Sequence, residues 1–270
     1  MPAQTSTDAR VERRAGIGFA ALLLIGWEAA SRGGLVDALI LPAPSAIVVT
    51  LVENLLGGGQ RAYPIWQNTL ASLGMLAIAF PVGALLGVLC GVLIGASETA
   101  YRVMGPILGV LVPIPAIAWA PIAMVWFGLG TPTILAIVTY ACFAEVVFNA
   151  AAGVRGTPVR FLWIADGFGA SRAMRLWRVV LPAAFPQIFT GLKLGLGGSW
   201  RALIGAEMFA GVSSGLGYML YQAREFYASD IMFASLILVA VFSLLIEQVG
   251  LRFIERRTLV RWGMSQSLEA

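Results

Sequence analysis

Three ionisable side chains lie inside long apolar stretches of the sequence, where a charge is unfavourable. Glu145 stands in ACFAEVVFNA, whereas Arg201 and Glu207 stand in SWRALIGAEMF. On insertion scales a charged side chain at the membrane centre is unfavourable by about 2.5–3.5 kcal/mol, so such residues often mark a substrate pathway. Arg201 and Glu207 are six residues apart and do not face each other on one helix. Two interpretations remain open: pairing among buried polar groups, such as Glu145 with Arg201, or a pathway for a polar solute.

Covalent chemistry has little support in the sequence. The chain contains no histidine, which is the commonest metal ligand and the usual base near neutral pH. It also has no G-x-x-x-x-G-K-[ST] phosphate-binding loop, so ATP hydrolysis would require another protein. Cys90 and Cys142 lie in apolar runs typical of small buried residues. We therefore predict no catalytic residue, no metal site and no cofactor bound by this chain, and an intramembrane enzyme is the weakest interpretation.

Long apolar segments must position these side chains. Of the 270 residues, 59% are hydrophobic and 12% are charged, and the mean hydropathy is +0.85. A membrane span needs about 20 apolar residues. The first apolar segment follows three arginines, so a cleaved signal peptide is the alternative to a retained span. We predict an all-α integral membrane protein with a single transmembrane domain over 1–270 and six spans, at 15–31, 67–96, 103–127, 132–152, 188–210 and 231–250.

Arginines outside these spans are unequally divided between the two sides of the membrane. If the N-terminus is cytoplasmic, the outer segments contain only Arg32, Arg61 and Arg224, and all other arginines outside the spans lie on the inner side. Positive charge in short loops stays on the cytoplasmic side. The distribution predicts that both termini are cytoplasmic. It also places outer loops at 32–66 and 211–230 and a long cytoplasmic connector at 153–187.

The third apolar segment is rich in proline. Within GPILGVLVPIPAIAWAPIAMVWFG, prolines occupy positions 106, 113, 115 and 121. Each proline removes a backbone donor and disturbs the preceding helical turn. Broken backbone at membrane depth occurs where it is buried in protein or lines a cavity, so this segment is predicted to border a substrate path. The candidate pathway residues are Pro113, Pro115, Trp119, Glu145, Asn149, Trp200, Arg201 and Glu207.

Glycine recurs at every fourth position of the second span, at residues 83, 87, 91 and 95. On a helix these residues form a glycine stripe, against which another backbone can pack closely. The glycine stripe predicts packing within the chain, and a dimer face is the alternative.

The cytoplasmic connector contains GASRAMRLWRVVLP, in which three arginines are spaced by three residues. If residues 170–181 are helical, apolar side chains share one face and the arginines share the other. The pattern predicts an amphipathic surface helix that ends at Leu181-Pro182. The apolar face consists of Ala170, Ala173, Met174, Trp177, Val180 and Leu181, and the polar face contains Arg172, Arg175 and Arg178.

The same connector resembles the cytoplasmic loop of bacterial ABC importer permeases. Their signature is E-A-A, three residues, Gly, nine residues, Ile, any residue and Leu-Pro. Here Gly169 matches the glycine, Val179 stands at the isoleucine, and Leu-Pro is kept at 181–182. Trp163 stands in place of the glutamate, with Asp166 the acid nearby. In that family the loop is a coupling helix that docks into a groove of the ATPase subunit. The resemblance implies a coupling loop that includes Trp163, Ala165, Asp166, Gly169, Ala170, Ser171, Arg172, Arg175, Leu181 and Pro182.

The resemblance covers nearly the whole chain and is closest to the branch that imports nitrate, taurine, alkanesulfonates and bicarbonate. LPAPSAI, PIPAIAWAPIAMVWFGLG, FNAAAGVR and AEMFAGVSSGLGYML resemble that branch in the same order. It implies a type I ABC importer permease fold in a bacterial plasma membrane and alternating access. The implied partners are a second permease copy in a homodimer, two subunits that bind ATP and Mg, and an extracytoplasmic solute-binding protein, with no nucleic acid.

Two charges depart from what that branch leads us to expect. Glu145 stands where a proline is expected, and Arg201 replaces an apolar residue. A solute with both charges, such as taurine, would suit this pair, as would an aminopyrimidine or another partly cationic solute. The alternative from another class is a secondary transporter that uses Glu145 and Arg201 as a proton or ion relay. The internal repeat that such folds often have is not evident in the sequence.

Overall fold

The computed structural model describes the backbone of residues 6–56 and 64–246, and the side chains within these ranges from residue 15 onward. All regular secondary structure in the described ranges is helical. The first half contains α1 (Ser6–Arg32), α2 (Pro44–Leu55), α3 (Ile65–Ala96), α4 (Glu98–Leu111), a 3-10 helix (Ala116–Trp119) and α5 (Ala120–Phe127). The second half contains α6 (Thr131–Arg155), α7 (Val159–Gly167), α8 (Arg172–Arg175), a π-helical turn (Leu176–Val180), α9 (Leu181–Phe209), α10 (Leu216–Glu225) and α11 (Ser229–Leu244).

Four of the six predicted spans have helices of sufficient length and apolar character in the described part of the chain. These are α3, α6, the continuous helix Arg172–Phe209, and the bent pair of Glu98–Leu111 with Ala116–Phe127. Helix α1 covers the first predicted span without a break. Charged residues flank its apolar stretch, and it is not among the helices that are both long and apolar enough to cross a membrane. The described part of α11 has 16 residues, fewer than a span requires. The predicted span at 231–250 ends outside the described residues.

The chain contains two compact units. Among the described residues, one comprises those up to Trp66 together with Met219–Ile237, and the other comprises Gln67–Tyr218 and those from Leu238 onward. In the first unit, the Glu28 carboxylate accepts hydrogen bonds from the Ser45 amide at 3.0 Å and the Ser45 hydroxyl at 2.6 Å, which fastens α1 to the start of α2. The Trp27 indole donates to the Pro42 carbonyl at 3.0 Å and strengthens the same junction.

In the second unit, the glycine stripe of α3 packs against α6. A Cβ atom added at any of its four glycines would lie 2.6–2.7 Å from an atom of α6, closer than side chains approach in real structures. The predicted packing within the chain is therefore confirmed, and α6 occupies the face that the alternative assigned to a dimer. The nearest atoms are the Thr139 carbonyl oxygen and the Cβ atoms of Val146, Ala150 and Val154.

Helix α6 also packs closely against α9. A Cβ atom at Gly191 would lie 2.6 Å from Asn149 Cβ, and one at Gly195 would lie 3.1 Å from a methyl carbon of Val146. Of the most apolar 18-residue stretch of each helix, 61% is buried in α6 and 33% in α3. Helix α6 is therefore the central helix of this unit. Close helix contact through small residues is the usual solution where lipid supplies no hydrophobic driving force between helices.

The predicted interruption of the third apolar segment is confirmed. Helix α4 ends at Leu111, and the chain turns by 90° before it continues through the 3-10 helix into α5. Pro113 and Pro115 lie in the break, while Pro121 falls in the first turn of α5, where no amide donor is needed. The Tyr140 hydroxyl donates to the Leu111 carbonyl at 2.9 Å and so satisfies an acceptor that the break leaves free.

The prediction that an amphipathic helix ends at Leu181-Pro182 is wrong. The helix continues from α8 through a π-helical turn into α9, and the Leu181 amide donates to the Leu176 carbonyl five residues earlier. Pro182 lacks an amide hydrogen and its ring disfavours the regular turn, whereas the wider π turn accommodates it without a break. The predicted apolar face is also divided, because Val180 is buried while Met174 and Trp177 are 46% and 70% exposed.

Candidate functional site

A cavity of about 280 Å³ lies among the break after α4, the middle of α6 and the middle of α9. The break contributes Pro115 and its neighbours, α6 contributes Tyr140 and Glu145, and α9 contributes Arg201. We call it the mid-span cavity. Its position fulfils the condition under which broken backbone is tolerated at membrane depth, namely that it lines a cavity. Glu145 and Arg201, two of the charges singled out in the sequence, therefore lie beside the predicted break in the third apolar segment.

Glu145 and Arg201 line the mid-span cavity without pairing with each other. The Glu145 side chain lies beside Gly198, where an added Cβ would be 3.9 Å from its Cγ, and Gly198 precedes Arg201 by about one helical turn. No salt bridge within 4.0 Å joins the two side chains, and neither forms a hydrogen bond or ion pair through its side chain with any described residue. Glu145 is half-buried and Arg201 is exposed in a single chain. The structural ion pair considered from the sequence is therefore not formed.

An aromatic pair supports the break, although only Tyr140 of this pair lines the cavity and Trp119 does not. Tyr140 lines the mid-span cavity, and the rings of Trp119 and Tyr140 lie 5.6 Å apart at an angle of 58°. Trp119 thereby braces the 3-10 helix against α6. Pro113 lies in the same break but is exposed and is not part of the cavity lining.

Two further residues predicted for the pathway have structural contacts instead. Asn149 is buried, donates to the Glu145 backbone carbonyl at 2.8 Å and accepts from Gln187 at 3.0 Å, so that it links α6 to α9. The Trp200 ring is buried, packs against Phe242 and donates to the Val239 carbonyl at 3.3 Å. Neither residue belongs to the lining of the mid-span cavity.

Glu207 lies in a separate polar cluster. Its side chain is 1% exposed and accepts hydrogen bonds from the Ser72 hydroxyl at 2.6 Å and the Gly217 amide at 2.8 Å. Ser72 in turn accepts from the Leu216 amide at 2.9 Å, and Asn68 accepts from the Gly215 amide at 2.9 Å. These six residues, which we call the Glu207 network, join α3, α9 and the start of α10. The partnering of Glu207 with buried polar groups was one of the two interpretations left open by the sequence.

Asn68, Ser72, Gly215 and Gly217 were not among the residues predicted for the pathway. A signal for the first two exists, because they are polar residues four apart in an apolar helix and therefore share one face. The two glycines permit close packing around the carboxylate. Gly215 has a φ of 134°, and a Cβ at Gly217 would lie 2.2 Å from the Ile204 carbonyl oxygen.

The predicted coupling loop forms a helix–turn–helix. Helix α7 ends in a Schellman motif, in which Ala170 donates to the Ala165 carbonyl and Gly169 donates to the Asp166 carbonyl, both at 3.0 Å. Gly169 adopts a φ of 70°, which favours glycine at this position. The Ser171 hydroxyl then accepts from the Met174 amide at 3.2 Å and caps α8. The glycine of the sequence signature is therefore needed by the turn itself.

An ion pair and a set of exposed apolar side chains complete the coupling loop. Arg175 contacts both carboxylate oxygens of Asp166 at 3.2 and 3.3 Å and joins α8 to α7, while Arg172 is exposed. Ala165 is buried, and Leu181 and Pro182 are half-buried at the start of α9. Trp163, Phe168 and Trp177, in contrast, are 72%, 89% and 70% exposed. Three large exposed apolar side chains beside charged residues are a feature of interaction surfaces.

Comparison with known proteins identifies related chains. A model of the family described as binding-protein-dependent transport system inner membrane component matches residues 83–259. The taurine transport system permease protein TauC of Escherichia coli is 36% identical over 241 residues, covering 89% of this chain and 87% of that protein. The bicarbonate transport system permease protein CmpB of Synechococcus elongatus is 34% identical, covering 81% and 80% respectively.

A solved structure shares the fold. A chain from inward-facing conformations of the MetNI methionine ABC transporter matches with a TM-score of 0.64 and 19% identity, covering 74% of this chain and 99% of that one. The predicted all-helical, type I permease-like fold is thereby confirmed. These matches give no support to the secondary-transporter alternative. The chain belongs to the binding-protein-dependent transport system inner membrane components, the transmembrane permeases of ABC importers.

Proposed function

We propose that this chain is the pathway-forming subunit of an ATP-driven importer for a small polar solute of the taurine, alkanesulfonate or nitrate type. The relatives named above support a small polar solute, because their names specify taurine and bicarbonate. ATP and Mg bind to a separate ATPase subunit, and this chain contributes movement and no covalent chemistry. Its helices alternate between access from outside and access from inside as the ATPase closes and opens.

The observation that carries this proposal is the coupling loop. Trp163, Phe168 and Trp177 are largely exposed on a turn that Gly169 and Ser171 define through backbone hydrogen bonds. Solvent-exposed aromatic side chains on a rigid element are typical anchors for a partner protein. Two ATPase subunits would dock on the coupling loops of two permease copies and transmit the closure of the ATPase pair to α9, which continues from α8 through the π turn.

A second copy of this chain completes the pathway. Arg201 lies within the long apolar helix that ends at Phe209, inside the predicted span 188–210, and is exposed in the single chain. A charge facing lipid at this depth would be unfavourable by a few kcal/mol, whereas a second permease copy would enclose it in a polar pathway. We infer a homodimer, with the mid-span cavities on the path between the copies.

The charge distribution sets the orientation in the bacterial plasma membrane. Both termini and the coupling loop are cytoplasmic, because arginines are concentrated on that side. A solute-binding protein delivers the solute to the outer loops at 32–66 and 211–230.

The test is co-purification of the ATP-binding subunit with the variant Phe168→Ser. Phe168 is 89% exposed and packs little within the chain, so its loss should leave the permease folded. We expect the ATP-binding subunit to dissociate and solute-stimulated ATP hydrolysis to fall at least tenfold, as for an interface anchor. Gly167→Ala is the matched control, because an added Cβ there meets no atom within 4 Å. Full association and full stimulated ATPase activity in Phe168→Ser would refute the docking surface.

A further inference from the structure

We propose that Glu145 and Arg201 select a solute that carries both a cationic and an anionic group, and disfavour a simple anion of the same size. This inference rests on the proposed function, because it assigns the mid-span cavity to the transported solute. The cationic group would face the Glu145 carboxylate, and the anionic group would face the Arg201 guanidinium.

Both charges border one space. Glu145 on α6 and Arg201 on α9 line the mid-span cavity. Gly198 lies between them on α9 and has no side chain to separate them. The volume of about 280 Å³ is near the lower end of the range of about 300–1,000 Å³ for small-molecule sites.

Within one chain, the charges of Glu145 and Arg201 also remain available for a ligand. Had the two side chains served only the packing of α6 on α9, a direct ion pair would be the expected arrangement. The Arg201 guanidinium nitrogens lie more than 4.0 Å from the Glu145 carboxylate oxygens instead. Among the described residues neither side chain has another hydrogen-bond or ion-pair partner. The Glu207 network shows that this unit does satisfy a carboxylate where its role is structural. An unpaired acid and an unpaired base in the same cavity therefore indicate a ligand with two complementary groups.

The same two charges distinguish a dipolar solute from a simple anion. Glu145 and Arg201 are the charged residues of the cavity lining, so its formal charge is balanced. A simple anion would pair with Arg201 but would leave Glu145 close to a like charge, and such repulsion is a common source of specificity. The planar guanidinium suits a sulfonate or carboxylate, because it can donate two parallel hydrogen bonds. A dipolar solute satisfies both residues.

The experiment uses the complete complex of permease and ATP-binding subunits, without the solute-binding protein. Taurine, ethanesulfonate and ethylammonium are titrated calorimetrically at concentrations up to the millimolar range, since they share a two-carbon chain and differ in their charged ends. We expect taurine to bind at least tenfold more tightly than either singly charged probe, as one charge-assisted hydrogen bond contributes about ten- to hundredfold. Glu145→Gln should reduce taurine affinity to that of ethanesulfonate, and Arg201→Gln should reduce it to that of ethylammonium.

Conservative and distant variants separate charge recognition from loss of structure. Glu145→Asp should retain the preference for taurine, and so should Arg102→Gln, which removes an exposed charge outside the cavity lining. Equal binding of taurine and ethanesulfonate, no binding of taurine, or a preference that survives Glu145→Gln would each overturn the proposal. In these cases an intact ATPase response would still support the proposed function. The proposed function would be contradicted if the ATP-binding subunit did not co-purify with the wild-type chain.

Discussion

Two glutamates in the apolar spans of this permease have opposite surroundings. Glu207 is 1% exposed and accepts hydrogen bonds from Ser72 and the Gly217 amide. Glu145 is half-buried beside a cavity, and its carboxylate has no described partner. The same residue type in similar apolar sequence therefore has hydrogen-bond partners within the chain in one place and lines a cavity in the other.

The comparison shows that an ionisable residue in a span does not by itself identify a transport pathway. Membrane burial makes an unsatisfied polar group costly, so the informative observation is whether the protein itself supplies the partners. The Glu207 network supplies them from three helical elements, whereas the mid-span cavity leaves them to water or solute. Substitutions at the two places should therefore differ in their effects on stability.

The largest expected effect is at Glu207. Glu207→Ala would leave the Ser72 hydroxyl and the Gly217 amide buried without an acceptor, at about 1–3 kcal/mol for each group. We expect the detergent-solubilised permease to lose about 2–6 kcal/mol of unfolding free energy, measured through its thermal unfolding midpoint. Glu207→Gln retains an acceptor and should lose less. A wild-type midpoint for Glu207→Ala would contradict the structural role of the network.

An intermediate effect is expected from adding one methyl group in each region. In Gly217→Ala the new Cβ would lie 2.2 Å from the Ile204 carbonyl oxygen, so the backbone must shift, and overpacking of this kind costs about 1–3 kcal/mol. Gly198→Ala is the matched change beside the mid-span cavity, where the nearest atoms would be 3.9 Å away. Thermal unfolding should show a lower midpoint for the first variant and an unchanged midpoint for the second. Equal losses would remove the contrast in packing.

The smallest effect on stability is expected from Glu145→Gln. This change removes a charge but strands no described partner, so the unfolding free energy should stay within about 0.5 kcal/mol of wild type. The same thermal measurement on the purified permease tests it, with Glu207→Gln as the comparison. A loss of several kcal/mol for Glu145→Gln would instead point to a buried ion pair and would count against a ligand-facing carboxylate.

Several features followed from local physics and could be predicted from the sequence. The helical fold follows from apolar runs of sufficient length, and the break after α4 follows from prolines that cannot donate backbone hydrogen bonds. Gly169 in the sequence indicated the turn between α7 and α8 of the coupling loop, where this residue adopts a positive φ. Each of these depends on residues close together in the chain.

Other features could not be read from neighbouring residues. Pro182 predicted the end of a helix, yet a π turn carries the helix through it. Ser72 and Glu207 are 135 residues apart in the chain, and nothing local to either residue identifies the other as its partner. The glycine stripe indicated that a helix packs there but not that the helix is α6.

The sequence by itself determined which segments are apolar, where the backbone is interrupted and which charges lie inside the spans. These are properties of composition and of backbone chemistry within a few residues. Only the tertiary structure decided that Glu207 is enclosed by donors while Glu145 and Arg201 border one cavity. The physical reason is that hydrogen-bond satisfaction depends on which helix faces are brought together, and helix packing joins residues that are far apart in the chain.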